Sequence, residues 1–219
     1  MEKDWKQDTY QYVEKLNPEM VRYMDCMTDI KQRWMQIQNV IRSNSYKPNK
    51  RNIESNCLQF RMIVELIFLA NLSSHEGYYF KTLSELANMW HIEEIISNIN
   101  KVNSNYYPEV IKLDKKNVPG RPDANGHIYF LPNPLSKDDL VKMYTQCCEY
   151  LHPLNPFAKE KDYRVHEKFR LWSDKLKGLL SSHAIQLVEQ KLKIFCIIDF
   201  ENKSVGKTDI QVGFTNRVL

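Results

Sequence analysis

The fold is decided in the stretch Cys57-Leu58-Gln59-Phe60-Arg61-Met62-Ile63-Val64-Glu65-Leu66-Ile67-Phe68. Its apolar residues recur every three or four positions, which predicts an amphipathic helix whose stripe faces the core. Arg61 lies within that stripe, one turn after Cys57. A guanidinium keeps its charge, so it requires a partner or polar surroundings. We therefore expect Arg61 to be largely buried and paired with Glu65, four residues on, or with backbone carbonyls near His152.

A second long helix is predicted before this stretch. Asn17-Pro18-Glu19 has the features of a helix start, because asparagine caps the first turn, proline fits within it and an acid favours the positive end of the helix dipole. The apolar stripe that follows has steps of three and four residues throughout. Its members are Met20, Met24, Met27, Ile30, Trp34, Ile37 and Ile41.

Three further helices are predicted downstream. Thr82-Leu83-Ser84-Glu85 is a capping box that opens a helix running through Ile99. Ser136 caps the next one, whose stripe includes Tyr144, Cys147 and Cys148. The last helix has a stripe with alternating steps of four and three residues, which indicates a core face, with a dimer seam as the alternative. Its members are Val165, Phe169, Trp172, Leu176 and Leu179.

Two pairs of short β-like runs flank polar loops. The first pair, residues 110–113 and 128–131, predicts a hairpin insertion at about residues 108–132, and the second pair, 194–200 and 210–214, predicts a C-terminal hairpin at about residues 193–215. An isolated hairpin is only marginally stable, so each must pack on the helices, pair with the other or pair with another chain. The sequence thus predicts one mainly α domain over residues 1–219, a helical bundle with two small β-hairpins.

The composition restricts the class of protein. Apolar residues make up 42% and charged residues 26% of the 219, as in a soluble globular protein, and the longest apolar run is too short to cross a bilayer. The charged N-terminus lacks a secretory signal, so we expect a cytoplasmic protein with no membrane association. The five cysteines and six histidines lack the spacing of metal ligands or of a disulfide framework. No metal, disulfide or cofactor is therefore expected, and the net charge of +4 permits a polyanionic partner without demanding one.

A second unusual polar stretch reads Tyr150-Leu151-His152-Pro153-Leu154-Asn155-Pro156-Phe157. It places His152 and Asn155 where proline stops a helix, and two interpretations follow. In the structural one, both residues cap the helix end while Arg61 is paired elsewhere. In the functional one, His152 moves a proton and Arg61 holds a phosphate in one cleft between helices. Motifs of the nucleotide-binding, hydrolase and metalloprotease families are absent from the sequence.

These features resemble the HEPN superfamily of helical proteins from prokaryotic defence and toxin–antitoxin systems. The resemblance covers about residues 17–182 outside the hairpins, and rests on a polar residue within one long helix together with a histidine and an asparagine at the end of a later one. It implies an RNA-directed protein, a homodimer, and metal-independent endoribonuclease activity. His152 would be the general base or acid on the ribose 2′-OH, Arg61 would steady the phosphate, and Asn155 would orient the histidine or donate to the phosphate.

One departure from the family keeps a second hypothesis open. HEPN nucleases carry their arginine and histidine close together on a single helix, whereas Arg61 and His152 fall on different predicted helices, and Arg164 and His166 are too closely spaced. The alternative is a non-enzymatic accessory or scaffold module that binds a protein partner through its apolar helix seam and an open hairpin edge.

Overall fold

The computed structural model describes residues 18–42, 49–74, 91–113, 128–153, 165–187, 193–202 and 210–215. Five helices lie in this part of the chain: α1 (Pro18–Ile41), α2 (Lys50–Ser73), α3 (Ile92–Val102), α4 (Lys137–Leu151) and α5 (His166–Leu180). They are joined by five strands: β1 (Glu109–Leu113), β2 (Ile128–Phe130), β3 (Ser182–Gln186), β4 (Lys193–Ile198) and β5 (Ile210–Thr215). The protein is mainly α, as the sequence predicts.

Helix α1 confirms the apolar stripe that the sequence predicts from Met20 to Ile41. Every apolar member of the stripe from Met20 to Ile41 is at most 5% exposed. One stripe residue also has a polar contact, because the indole Nε1 of Trp34 donates to the carbonyl oxygen of Ser173 at 3.1 Å. This bond joins α1 to α5 at a buried position, so it fixes the orientation of the Trp34 ring.

Helix α2 is the centre of the helical layer. Its N-cap is Asn49, whose side chain accepts from the backbone N–H of Asn52 at 2.9 Å. The helix packs against α1, α3 and α4, so its apolar residues are covered on several sides. Phe60 is fully buried, and its ring centroid lies 5.4 Å from the rings of both Phe169 and Trp172. The stretch quoted from the sequence thus joins α2 to α5 through an aromatic cluster.

Two of the three downstream helices start as predicted. Ser136 caps α4, because its hydroxyl accepts from the backbone N–H of Asp139 at 3.1 Å, and α5 begins at His166. The stripe of α5 is buried throughout, which confirms it as a core face. Helix α3 differs. His91 is extended and the helix begins at Ile92, so the prediction of one uninterrupted helix through Ile99 is wrong, while the Thr82–Glu85 capping box lies outside the described residues.

The strands form one antiparallel sheet with the order β2-β1-β3-β4-β5. The strands assigned to each predicted hairpin pair with each other, since Ile111 lies opposite Phe130 in β1 and β2, and Cys196 lies opposite Val212 in β4 and β5. The sequence leaves open whether each hairpin packs on the helices, pairs with the other or pairs with another chain. In the structure they are joined by β3, a strand that the sequence analysis does not predict, which pairs with β1 on one side and with β4 on the other. Joining them removes two unpaired strand edges, which would be costly in isolated hairpins.

One face of the sheet belongs to the hydrophobic core. Helices α1 and α5 pack on the sheet, and the alternate residues that face them are buried. These inward residues are Val110, His183, Ile185, Ile194, Cys196, Ile198, Ile210 and Val212. Among them His183 is the one titratable base, so the sheet carries a polar group into the core that it shares with the helices. None of the helices in the described part of the chain combines the length and apolarity needed to span a membrane.

Candidate functional site

Arg61 forms an ion pair with Glu65 on the surface of α2. Its Nε donates to Glu65 Oε1 at 2.9 Å, which is the i, i+4 pairing that the sequence predicts. The Arg61 side chain is 37% exposed and that of Glu65 16%, so the prediction of a largely buried arginine is wrong. The hydrogen bond that Arg61 donates to Glu65 raises the pKa of the guanidinium. In the described part of the chain the two terminal amino groups of Arg61 make no hydrogen bond, and they remain available to an anion.

Tyr144 of α4 completes this cluster. The guanidinium carbon of Arg61 lies 5.5 Å from the centroid of the Tyr144 ring, which is the geometry of a cation–π contact. Burial raises the pKa of Tyr144 to about 12, and a hydrogen bond to Glu65 acts in the same direction. The phenol therefore stays protonated at neutral pH and donates to the carboxylate. Glu65 holds the arginine from one side and the tyrosine from the other.

The directions of α2 and α4 determine how Arg61 relates to His152. The thiols of Cys57 and Cys147 are hydrogen-bonded across the two helices, and Arg61 lies over Tyr144. Residue numbers therefore increase along α2 in the direction in which they decrease along α4, so the two helices are antiparallel. His152 follows Tyr144 by eight residues, which is about 12 Å along the helix axis. The structure brings Arg61, Glu65 and Tyr144 together and places His152 two turns away.

His152 ends helix α4. Its backbone is extended, its N–H donates to the carbonyl oxygen of Cys148 at 3.1 Å, and its side chain is exposed. Tyr144, Cys148 and His152 are four residues apart, so they share one face of the helix. Asn155, the third predicted catalytic residue, lies outside the described residues.

The cysteines near the site are structural in character. Cys147 is fully buried and Cys148 is half-buried, and both are free thiols. The hydrogen bond with Cys57 and then burial raise the pKa of Cys147, and burial raises that of Cys148. A raised pKa leaves little thiolate, so neither thiol has the features of a redox-active cysteine. Within the described ranges, no group of three or more His, Cys, Asp or Glu side chains could hold a metal ion.

The cluster yields a stability prediction. Arg61→Met is expected to destabilise the protein by about 1 kcal/mol less than Arg61→Ala, because methionine retains the packing of the aliphatic stem whereas both variants lose the charge. The comparison uses urea unfolding at pH 7. The same two substitutions at Arg51, an exposed residue on the first turn of α2, are the matched control and should differ by less than about 0.5 kcal/mol. Equal stabilities of the two Arg61 variants would show that the stem contributes nothing.

The sequence predicts only those contacts of this site that are made within one helix. The Arg61–Glu65 pair follows from spacing on one helix, whereas the contact with Tyr144 depends on how α2 and α4 pack. The predicted stripe of α4 includes Tyr144, which indicates that the residue faces the protein but not which residue it contacts. Comparison with known proteins adds no further residue. The chain matches no protein-family model, no curated protein and no solved structure.

Proposed function

We propose that this chain is a HEPN-like, RNA-directed protein of a prokaryotic defence or toxin–antitoxin system, acting as a metal-independent endoribonuclease. The observation that supports the proposal is the Arg61 guanidinium, which contacts Glu65 and Tyr144 and whose terminal amino groups make no hydrogen bond to a described residue. A planar guanidinium fixed in this way suits the oxygens of a phosphate. His152, exposed at the end of α4, supplies an imidazole that can act as a general acid or base.

The spacing of these residues changes the role that the resemblance implies for Arg61. A guanidinium about 12 Å along α4 from His152 is too far away to hold the phosphate on which the histidine acts. We therefore assign Arg61 to a neighbouring phosphate of the same strand, where it anchors the RNA. His152 acts at the scissile position, as the base that takes the proton of the ribose 2′-OH or as the acid that protonates the leaving oxygen.

The proposal is tested with a fluorescently labelled single-stranded RNA in the presence of EDTA. We expect cleavage that persists in the chelator, and weaker RNA binding by Arg61→Gln. Loss of one phosphate contact should lower the slope of log affinity against log salt by about one. Arg51→Gln, which removes an exposed charge from the same helix, is the matched control and should change the slope less. An Arg61→Gln variant that binds RNA as the wild type does would contradict the anchoring role.

A second candidate function is supported by the edge of the sheet. In the described part of the chain β2 pairs only with β1, and three consecutive apolar residues are exposed there: Tyr129 (51%), Phe130 (37%) and Leu131 (44%). Apolar side chains on an open strand edge are typical of a protein-binding surface. If no RNA is bound or cleaved, and a pull-down recovers one stoichiometric protein that Tyr129→Ser releases, the chain is an interaction module.

A further inference from the structure

A groove away from the Arg61 cluster has the features of a ligand site. Its volume is about 510 Å³, and it lies between the end of α1 and the residues that follow β4. The described residues that line it are Trp34, Met35, Gln38, Asn39, Arg42, Phe200 and Glu201. This set combines an aromatic wall, two amides and a guanidinium. No residue of it belongs to the site of the proposed nuclease.

The wall of the groove is apolar and rigid. The rings of Trp34 and Phe200 meet edge to face, with centroids 4.9 Å apart and planes at 62°. Trp34 is also fixed by its bond to the carbonyl oxygen of Ser173, so its ring cannot turn freely. Only a small part of each residue reaches the groove, since Trp34 is 5% and Phe200 6% exposed. Such a wall suits a flat ring, which gains van der Waals contact without ordering flexible side chains.

A buried amide provides a fixed hydrogen-bond acceptor. Gln38 is 9% exposed, and its Nε2 donates to the Ser173 hydroxyl, which orients the group. Its Oε1 makes no hydrogen bond within the described part of the chain. The exposed Asn39, next along α1, adds a donor and an acceptor at the rim. Together they match the edge of a nucleobase that carries an amino group, a pairing that glutamine and asparagine commonly make.

The charges at the rim leave one cation without an ion pair. Glu201 is bonded to Lys177, and Asp199 accepts from the backbone N–H groups of Glu201 and Asn202. Arg42, which also lowers the pKa of Glu201, makes no ion pair with a described residue. Its exposed guanidinium stands at the end of the groove where α1 stops. A ring seated against Trp34 and Phe200 could thus carry an anionic group to Arg42.

We propose that this groove binds a nucleotide, with the base against Trp34 and Phe200, its amino group donating to Gln38 Oε1, and its 5′-phosphate at Arg42. The nucleotide could be either of two ligands, a free mononucleotide or one residue of a single-stranded RNA. Either ligand presents a flat base and a phosphate, and the groove contacts both. The inference stands apart from the nuclease proposal, because none of its residues acts with Arg61 or His152.

The test is calorimetric titration of the full chain with adenosine 5′-monophosphate, adenosine, ribose 5-phosphate and an oligoadenylate decamer. We expect saturable binding of the mononucleotide. Arg42→Gln should weaken it at least about tenfold, because a charge-assisted hydrogen bond is lost. Adenosine should bind wild type and Arg42→Gln alike, and ribose 5-phosphate should bind more weakly than the nucleotide because it lacks the base. A decamer that binds at least about tenfold more tightly than the mononucleotide identifies RNA as the source, and equal affinities identify the free nucleotide.

Matched variants locate the binding in the groove. Asn39→Asp places a negative charge at the rim and should weaken nucleotide binding, whereas Gln36→Glu makes the same charge change on the same helix outside the groove lining. Arg51→Gln is the control for Arg42→Gln. The ¹⁹F NMR signal of fluorotryptophan at position 34, assigned with Trp34→Phe, should shift on titration with the mononucleotide. No saturable binding of either ligand, or wild-type affinity in both Arg42→Gln and Asn39→Asp, would overturn the inference.

Discussion

Replacing His152 by alanine is expected to lower the rate of RNA cleavage by about 100- to 10,000-fold, the usual loss on removal of a general acid or base. The variant should remain folded, with a free energy of unfolding within about 0.5 kcal/mol of the wild type. The reason is the position of the side chain, which is exposed at the end of α4. The hydrogen bond that ends the helix is made by the backbone N–H and survives the substitution. Single-turnover cleavage and urea unfolding measure the two quantities.

His91→Ala is the matched control for this experiment. His91 is also exposed and also stands at a helix end, where its side chain makes no capping hydrogen bond. Its replacement should leave cleavage unchanged. Undiminished cleavage by His152→Ala would remove the histidine from the mechanism, and with it the nuclease assignment.

The helices were predictable because their information is local. The stripe of α1 and the Ser136 cap of α4 each lie within one stretch of sequence, and both are found where the pattern places them. The pairings of β1 with β2 and of β4 with β5 were predictable for the same reason, since the strands of each pair follow one another along the chain. Strand β3 was not. It is five residues long, reads Ser-His-Ala-Ile-Gln, and is defined by its pairing with β1, which lies far away in sequence.

In the candidate site, too, the features that depend on neighbouring residues were predictable and those that depend on the packing of distant residues were not. The Arg61–Glu65 pair is a property of one helix and was predictable from the i, i+4 spacing. The exposure of Arg61 was not predictable. The apolar stripe indicates which side of α2 faces the protein, but it does not indicate how much of that side the neighbouring helix α4 covers. Arg61 lies at the margin beside α4, where its guanidinium contacts the Tyr144 ring and its side chain remains partly exposed to solvent. The 12 Å offset from His152 likewise depends on the antiparallel packing of two helices.

The hydrogen bonds of the buried His183 fix its charge state. The residue is fully buried on β3, its Nδ1 lies 3.0 Å from the carbonyl oxygen of Leu180, and its Nε2 lies 2.6 Å from the hydroxyl of Tyr23 on α1. A carbonyl oxygen only accepts, so Nδ1 carries the proton and Nε2 accepts from Tyr23. This is the neutral imidazole. Burial lowers the pKa of His183 to about 4, because the core disfavours the charged form.

The protein is therefore expected to lose about 3 kcal/mol of stability through His183 as the pH falls from 7 to 4. An unfolded histidine binds its proton near pH 6.5 and the folded one near pH 4, so protons favour the unfolded state throughout that interval. The loss begins as the pH falls below the unfolded pKa and is complete near the folded one. Urea unfolding at pH 7, 5.5 and 4 measures it.

His183→Gln isolates this contribution from those of the other titrating groups. Glutamine does not titrate, and it retains an acceptor for Tyr23 but loses the bond to Leu180. The variant should therefore be less stable at pH 7, and its free energy of unfolding should change less with pH. The carboxylates Asp139 and Glu201, whose pKa values are lowered by hydrogen bonds to Ser136 and Lys177 respectively, lose their own contributions at lower pH in both proteins. The difference between the two pH profiles therefore belongs to His183. Parallel profiles would mean that the pKa of His183 is the same in the folded and the unfolded protein, and that burial does not keep its imidazole neutral.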